Sequence, residues 1–248
     1  MVIPVKKGTK KPLCIIGTAP TCKDAPYDDN IDGENIYDIW AIDGAITNPG
    51  VKRVDKLFEM HPKRYYGLQM IEERLKEFDG PVVMQTHVEA IPNSVAYPYD
   101  EVKKMFYHPM MDDNLYVTNT ITWIILQALY EGYTDISLYG VHMAHDTEYA
   151  YQRSSCSWAL GIVHGWIIAG LPYKLTIAPE SSLFKAEYEY GFKEPTQTMQ
   201  FIKGRIDGMN LGIKEANDRI TTERERVLRT EGAVSEANFM YKKIAGLN

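Results

Sequence analysis

The chain has 248 residues, 45% of them hydrophobic and 24% charged, enough for one sizeable core with an appendage beside it. A formal net charge of −6 and a pI near 5.6 argue against a surface devoted to nucleic-acid phosphates. The three cysteines, Cys14, Cys22 and Cys156, are odd in number and form no C-x-x-C pair, which argues against a disulfide framework and for a reducing compartment. No apolar run reaches the ~18 residues of a membrane span, and Lys6, Lys7, Lys10 and Lys11 interrupt any signal-peptide core, so a cytoplasmic location is expected.

Residues 1–11 read as a basic N-terminal tail. Residues 12–16 form a short continuous apolar run, the pattern of a buried parallel strand, and open into the loop Gly17-Thr18-Ala19-Pro20-Thr21. Such a small-residue loop either brings backbone N–H groups up to a phosphate or ribose, with Thr18 and Thr21 adding hydroxyls, or is a plain tight turn. Neither G-x-G-x-x-G nor G-x-x-x-x-G-K-[ST] occurs, which removes the dinucleotide fingerprint and the P-loop. The acidic stretch 24–38 reads as a surface connection without the spacing of a calcium loop. Residues 39–43 are a second strand, ending at Asp43-Gly44, and residues 54–59 a third, ending at Met60-His61-Pro62. Asp43 either caps its turn, the commoner role of Asp before Gly, or meets a ribose, sugar or phosphate-bound partner; His61 is open in the same way.

Residues 63–78 predict an amphipathic helix, with Tyr66, Met70, Leu75 and Phe78 inward and a charged, solvated outer face. A strand at 81–85 follows, then a long excursion over 86–109, rich in Pro and Tyr, whose Asn93, Ser94, Tyr97 and Tyr99 either contact a ligand or only cover the surface. The most informative stretch is 116–145. One of Thr118, Asn119 and Thr120 caps a helix over about 121–130 whose apolar residues cover most of its circumference; Glu131-Gly132 ends it. A strand from Asp135 then enters a turn at Gly140 and delivers Val141, His142, Met143, His145 and Asp146 to the rim where ligands bind in open α/β sheets. A helix over 157–169 carries His164, read as a core histidine, and a last strand at 173–177 leads to Ser181 at the same edge. His142, His145, Asp146 and Glu148 put imidazole and carboxylate groups on one loop. With no histidines at a set spacing on a helix and no cysteine partner, no metal is expected there.

In order along the chain, G-T-A-P-T, F-E-M-H-P, V-T-N-T-I-T-W with E-G-Y-T-D-I-S-L-Y-G-V-H-M, and Y-K-L-T-I-A-P-E-S-S-L-F resemble the landmarks of bacterial family-42 sialyltransferases over about residues 12–184. The chain is also similar to uncharacterised phage-encoded proteins of this general type. The resemblance implies a Rossmann-like domain that uses CMP-sialic acid without a metal or other cofactor. It places Thr18 where the family has an asparagine for the nucleotide, Asp43 where an asparagine touches phosphate and His61 where a third meets the ribose. Asn119 with Thr120 falls where Ser-Gly binds cytidine, and Tyr149 or Tyr151 matches the phosphate-contacting tyrosines. The family's catalytic histidine has no clear match, His164 being the nearest. An acid at position 43 is unfavourable beside a phosphate unless a cation intervenes. Glycosyl transfer also needs a base for the acceptor hydroxyl, for which His145 or Glu148 is the candidate, and groups for the leaving phosphate, for which Tyr149, Tyr151 or Arg153 are candidates.

The expected organisation is a tail at 1–11, an α/β domain at 12–193 with a Rossmann-like, mostly parallel sheet flanked by helices, and a helical appendage at 194–248. In the appendage, apolar residues recur at Met199, Ile202, Ile206, Met209, Leu211, Ile213, Ile220, Val227 and Leu228, while Gly204, Gly208 and Gly212 break it early and 219–231 form a strongly charged helix. It either folds back on the domain as a helical hairpin or docks on another subunit, as a homo-oligomer or a phage assembly partner. The expected function is a nucleotide-sugar-dependent glycosyltransferase, inverting and metal-independent, acting on an unidentified acceptor. Its substrate-binding candidates are Gly17, Thr18, Ala19, Thr21, Asp43, Gly44, His61, Thr118, Asn119, Thr120, His142 and Ser181. The alternative is a non-catalytic structural or interaction protein of a phage assembly that keeps the fold.

Overall fold

A computed structural model of the chain describes residues 10–66, 69–144, 148–186, 189–193 and 195–245. It divides into two compact units, Met1–Lys185 and Ala186–Asn248. In the first, β1 (Leu13–Ile16) is followed by a small exposed antiparallel hairpin of β2 (Asn30–Ile31) and β3 (Glu34–Asn35), then β4 (Asp38–Ile42) and β5 (Lys56–Glu59). Next come α1 (Lys63–Tyr66), α2 (Gln69–Glu77), β6 (Val82–Met84), β7 (Ser94–Ala96) and α3 (Tyr99–Phe106). The unit is completed by α4 (Thr120–Glu131), β8 (Asp135–Tyr139), a π-helical turn at Glu148–Gln152, α5 (Arg153–Ile168) and β9 (Lys174–Ile177). Seven strands form one sheet in the order β7-β6-β5-β4-β1-β8-β9, and every neighbouring pair is parallel.

The apolar runs explain that sheet. Successive side chains of a strand point to opposite faces, and here the alternation sorts them into two cores. Leu13, Ile15, Trp40, Phe58 and Val83 join α3, α4 and α5 on one face. Cys14, Ile16, Ile39, Ala41, Leu57, Val82 and Met84 join Leu75 of α2 and Ile91 on the other. The central strand β1 is buried along its whole length, as a strand covered on both faces must be. Helix α4 lies against β1, β4 and β5. Asn119 caps its start by accepting from Thr122 N at 2.8 Å, and Gly132, at φ 88°, closes its end in the left-handed conformation.

Three sequence expectations change. The excursion over 86–109 is not irregular: it holds β7 and α3, whose Val102 and Phe106 are buried four residues apart. Helix α5 begins at Arg153 rather than 157, because Ser155, which reads as loop, is buried against the Thr122 hydroxyl at 3.0 Å. His164 is exposed, edge-on to Phe184 at 5.8 Å between ring centres, and is no core histidine.

A polar cluster closes the opposite, amino edge of the sheet. Glu131 at the end of α4 accepts from Lys56 Nζ at 2.9 Å, Gln127 Nε2 at 2.8 Å and Lys10 Nζ at 3.4 Å, and Lys56 also sits 3.8 Å over the Trp40 ring. Burial pushes the Glu131 carboxyl up, but the hydrogen bonds from Gln127 and Lys56 and the two lysine charges outweigh it and hold the group below the usual glutamate range. A carboxyl lowered in the folded state stabilises the fold above its unfolded pKa of about 4.3 and loses that contribution as the pH falls through the folded value. Glu131→Gln is therefore expected to cost roughly 1 kcal/mol at neutral pH, allowing for solvent screening, and to flatten the acid limb of a melting-temperature profile. An unchanged acid limb would contradict this role.

In the second unit, α6 (Gln197–Ile244) is one helix of 48 residues with no buried residue. The expected break at Gly204, Gly208 and Gly212 does not occur. A glycine inside a helix costs about 1 kcal/mol relative to alanine but does not reverse the chain, and no proline interrupts the stretch. The hairpin reading is corrected accordingly. No helix among the described residues is long and apolar enough to cross a membrane.

Candidate functional site

Because all seven strands are parallel, their carboxyl ends share one edge. Helix α4 is joined to β8 by only three residues, so it runs antiparallel to the strands and its N-terminus lies at that edge too. The chain moves outward from β1 through β4, β5, β6 and β7, then returns to β8 on the other side of β1. The switch point, where open sheets hold ligands, is thus between the loops after β1 and β8.

Those two loops are joined directly. Gly17 N donates to Tyr139 O at 2.8 Å and Ala19 N to Gly140 O at 2.9 Å. Gly140 N donates to Thr21 Oγ1 at 2.9 Å, and that hydroxyl lies 3.0 Å from His142 Nε2. A Cβ on Gly17 would come within 2.9 Å of the Gly140 carbonyl carbon, and one on Gly140, at φ +68°, within 2.5 Å of Gly17 O. The amides of Gly17 and Ala19, expected to face a phosphate, are therefore committed to backbone carbonyls, and Thr21 is buried beneath the loop. Thr18 is exposed, with its methyl 3.3 Å from where a Cβ on Gly44 would sit, which brings the loops after β1 and β4 together.

At the ends of β4 and β5 stand two buried carboxylates. Asp43 is gripped by Arg74 of α2, whose Nε donates to Oδ1 at 2.9 Å and whose Nη2 pairs with Oδ2. The Asp43 carboxylate is thus compensated by a cation of the same chain. The hydrogen bond to Asp43, reinforced by the charges of Asp43 and Glu59, pushes the Arg74 guanidinium above its ordinary value despite partial burial. Glu59, 4% exposed, accepts from His61 N at 2.8 Å and lies 2.6 Å from His61 Nδ1. The imidazole, with its side chain 61% exposed, is fixed at one nitrogen and turned to solvent, ready to bond a hydroxyl or exchange a proton. Sequence reasoning missed both partners. Arg74 lay in a charge run read as a solvated face, and Glu59 was taken only as the end of a strand. The Glu-x-His spacing at a strand end was the available signal for the second.

On the other side of β1, Arg153 at the start of α5 donates from Nη1 to Ser182 Oγ at 3.0 Å and from Nη2 to Ser182 O at 2.6 Å. Ser182 Oγ in turn donates to His142 O at 2.9 Å, and buried Ser181 to Val141 O at 2.7 Å, so the loops after β8 and β9 and the start of α5 are joined. Thr118 and Asn119 bond to this same region: Thr118 Oγ1 donates to Tyr151 O at 2.7 Å, Thr118 N to Ser155 Oγ at 3.1 Å and Asn119 Nδ2 to Gln152 O at 3.0 Å. Their side chains hold α4 to α5, and Thr120 is the first residue of α4, half-buried. Tyr151 is 68% exposed. His145 and the side chains of Glu148 and Tyr149 lie outside the described residues.

The predicted residues therefore form two groups at one edge. Thr18, Asp43, Gly44 and His61 share the ends of β1, β4 and β5; His142, Ser181 and Arg153, with Thr118 and Asn119 behind them, share the ends of β8 and β9 and the helix starts. The loop 17–21 connects the groups. Among the described residues no three His, Cys, Asp or Glu side chains come together as a metal site.

No protein-family model matches the chain, and neither does any curated protein sequence. Similar chains occur among solved structures. The sialyltransferase CstII of Campylobacter jejuni in complex with CMP-3FNeuAc is 16% identical, with a TM-score of 0.47, covering 79% of this chain and 99% of that one. The same enzyme with cytidine-5'-monophosphate is 15% identical, at a TM-score of 0.45 and coverages of 76% and 95%. The monofunctional α-2,3-sialyltransferase Cst-I of the same organism is 13% identical, at a TM-score of 0.45 and coverages of 81% and 94%.

Proposed function

We propose that the carboxyl edge binds a nucleotide-activated sugar and transfers the sugar to an acceptor hydroxyl in a single, inverting displacement that uses no metal. The observation that carries the reading is Arg74 on Asp43 beside the Glu59–His61 pair: the strand ends offer a neutralised carboxylate and an anchored imidazole where bare acids would repel a phosphate. The ordered sequence landmarks at 12–184 support it as well. In this reading Thr18 and His61 meet the nucleoside, and the acceptor oxygen attacks the anomeric carbon as the bond to the phosphate oxygen breaks. His145 or Glu148 takes the acceptor proton, and Arg153 and the nearby tyrosines stabilise the departing phosphate.

The test is a thermal shift with CMP, UDP, GDP and their sugar conjugates. One nucleotide at about 100 times its dissociation constant stabilises the fold by about 2.7 kcal/mol. His61→Ala takes the 2.6 Å partner from the buried Glu59 carboxylate and should lower the unliganded melt; against that lowered baseline it should weaken the ligand roughly tenfold, the loss of about one hydrogen bond. Silence across the panel would sink the proposal and favour a non-catalytic interaction protein, the reading favoured by one observation: the Gly17 and Ala19 amides are already bonded within the protein.

A further inference from the structure

Helix α6 carries a repeat that its glycines and charges hide. Met199, Ile206, Ile213, Ile220, Val227, Val234 and Tyr241 stand every seventh residue from one end to the other, all apolar and mostly β-branched. Between them, three residues on, stand Ile202, Met209, Ala216, Glu223, Thr230, Ala237 and Ile244. The four glycines of the helix, Gly204, Gly208, Gly212 and Gly232, all fall off this seam. A straight helix has 3.6 residues per turn, so a stripe of period 3.5 drifts by ~20° in every heptad. Held over the whole of α6, it stays in contact only with a second helix that supercoils around it.

We propose that α6 is a coiled-coil strand whose partner is α6 of a second copy of this chain. Its ten large seam residues are each about half exposed or more, from Ile206 at 47% to Ile244 at 87%. Together they expose on the order of 1,000 Å² per helix, more than the ~800 Å² per partner that a stable complex buries. The charges also suit an identical helix. The one carboxylate in the seam, Glu223, lies 3.7 Å from Arg226 on its own helix and is flanked by Arg219 and Arg224 at positions bordering the seam. A parallel second copy sets its own Glu223 in the same layer and brings the same arginine band beside it, so the two carboxylates stand among three arginines from each helix, Arg219, Arg224 and Arg226.

The experiment is sedimentation velocity on the full chain at micromolar concentration. The wild type is expected at a multiple of its 28.3 kDa monomer mass. The double variant Ile213→Asp/Ile220→Asp places charge in two apolar layers one heptad apart, on either side of Ala216, and should weaken association roughly 100-fold or more, running as a monomer. Leu211→Asp, off the seam, should keep the wild-type mass. The thermal transition of the α/β unit, read by near-ultraviolet circular dichroism, should be alike in all three and exclude misfolding as the cause. A monomeric wild type overturns the proposal, and so does a seam variant that stays associated.

Discussion

Alanine at position 17 is expected to remove more than about 3 kcal/mol of stability, a large share of what a domain of this size possesses. The new Cβ would fall 2.9 Å from the Gly140 carbonyl carbon and 3.0 Å from Val141 Cγ2, and closer still to the Gly140 oxygen. The obstacle is backbone, not the end of a flexible side chain, so no rotamer change relieves it. Moving the strands apart would break the hydrogen bonds from Gly17 N to Tyr139 O and from Ala19 N to Gly140 O at the centre of the sheet. Urea unfolding of Gly17→Ala should show a midpoint far below wild type, or no cooperative transition at all. A midpoint within experimental error of wild type would show that the two loops do not meet as described. Gly161, which has nothing within 4 Å of its Cβ position, is the matched control: alanine there should be neutral or stabilising.

Removing the guanidinium of Arg74 is expected to cost about 2–4 kcal/mol, because Asp43 would remain buried with its charge uncompensated. The Arg74 side chain is 27% exposed, so water will recover part of the loss and the lower half of that range is the better expectation. The asymmetry of the pair makes the prediction specific. Asp43→Asn leaves a cation that can turn toward solvent and should cost less than Arg74→Met, which strands the anion. The double variant Asp43→Asn/Arg74→Met should regain much of what Arg74→Met loses, since no buried charge is left unpaired. Additive losses in the three variants, measured by urea unfolding, would show that the salt bridge contributes no coupling.

Much of the body was legible in the sequence because its signals are local. The apolar run at β1, a cap among Thr118, Asn119 and Thr120 and the Gly132 stop around α4 each depend on a few neighbouring residues; the structure has the strand and the stop where they were expected and gives the cap to Asn119. What was missed depends on distance or on short elements. Arg74 and Asp43 are 31 positions apart, and nothing in a helical charge pattern tells which cation will turn inward to a strand end. Strand β7 has three residues and α3 starts just after Pro98, so neither gives a pattern long enough to stand out from a Pro- and Tyr-rich excursion. The glycines of α6 misled for a different reason: propensity is a modest per-residue penalty, and a long run of good helix formers outweighs it.

The candidate site itself was legible as a place more than as a set of roles. Asp43, His61, His142 and Ser181 were put at strand ends and are there, because strand boundaries follow from hydrophobic runs. Which of their atoms remain open to a ligand was not legible, since hydrogen-bond partners such as Thr21 Oγ1 for His142 and Val141 O for Ser181 emerge only once the strands are side by side.

The glycine-to-glycine contact at the middle of the edge also governs how this surface can respond to an incoming molecule. With carbonyl and amide groups of positions 17–19 and 139–140 interlocked and no side chain between them, the two halves of the sheet behave there as a single stiff anvil. Adaptation is left to the exposed side chains at its margins, Thr18 and His61 on one flank and Tyr151 on the other. Diversification of specificity by substitution should accordingly be tolerated at those margins and refused at the centre.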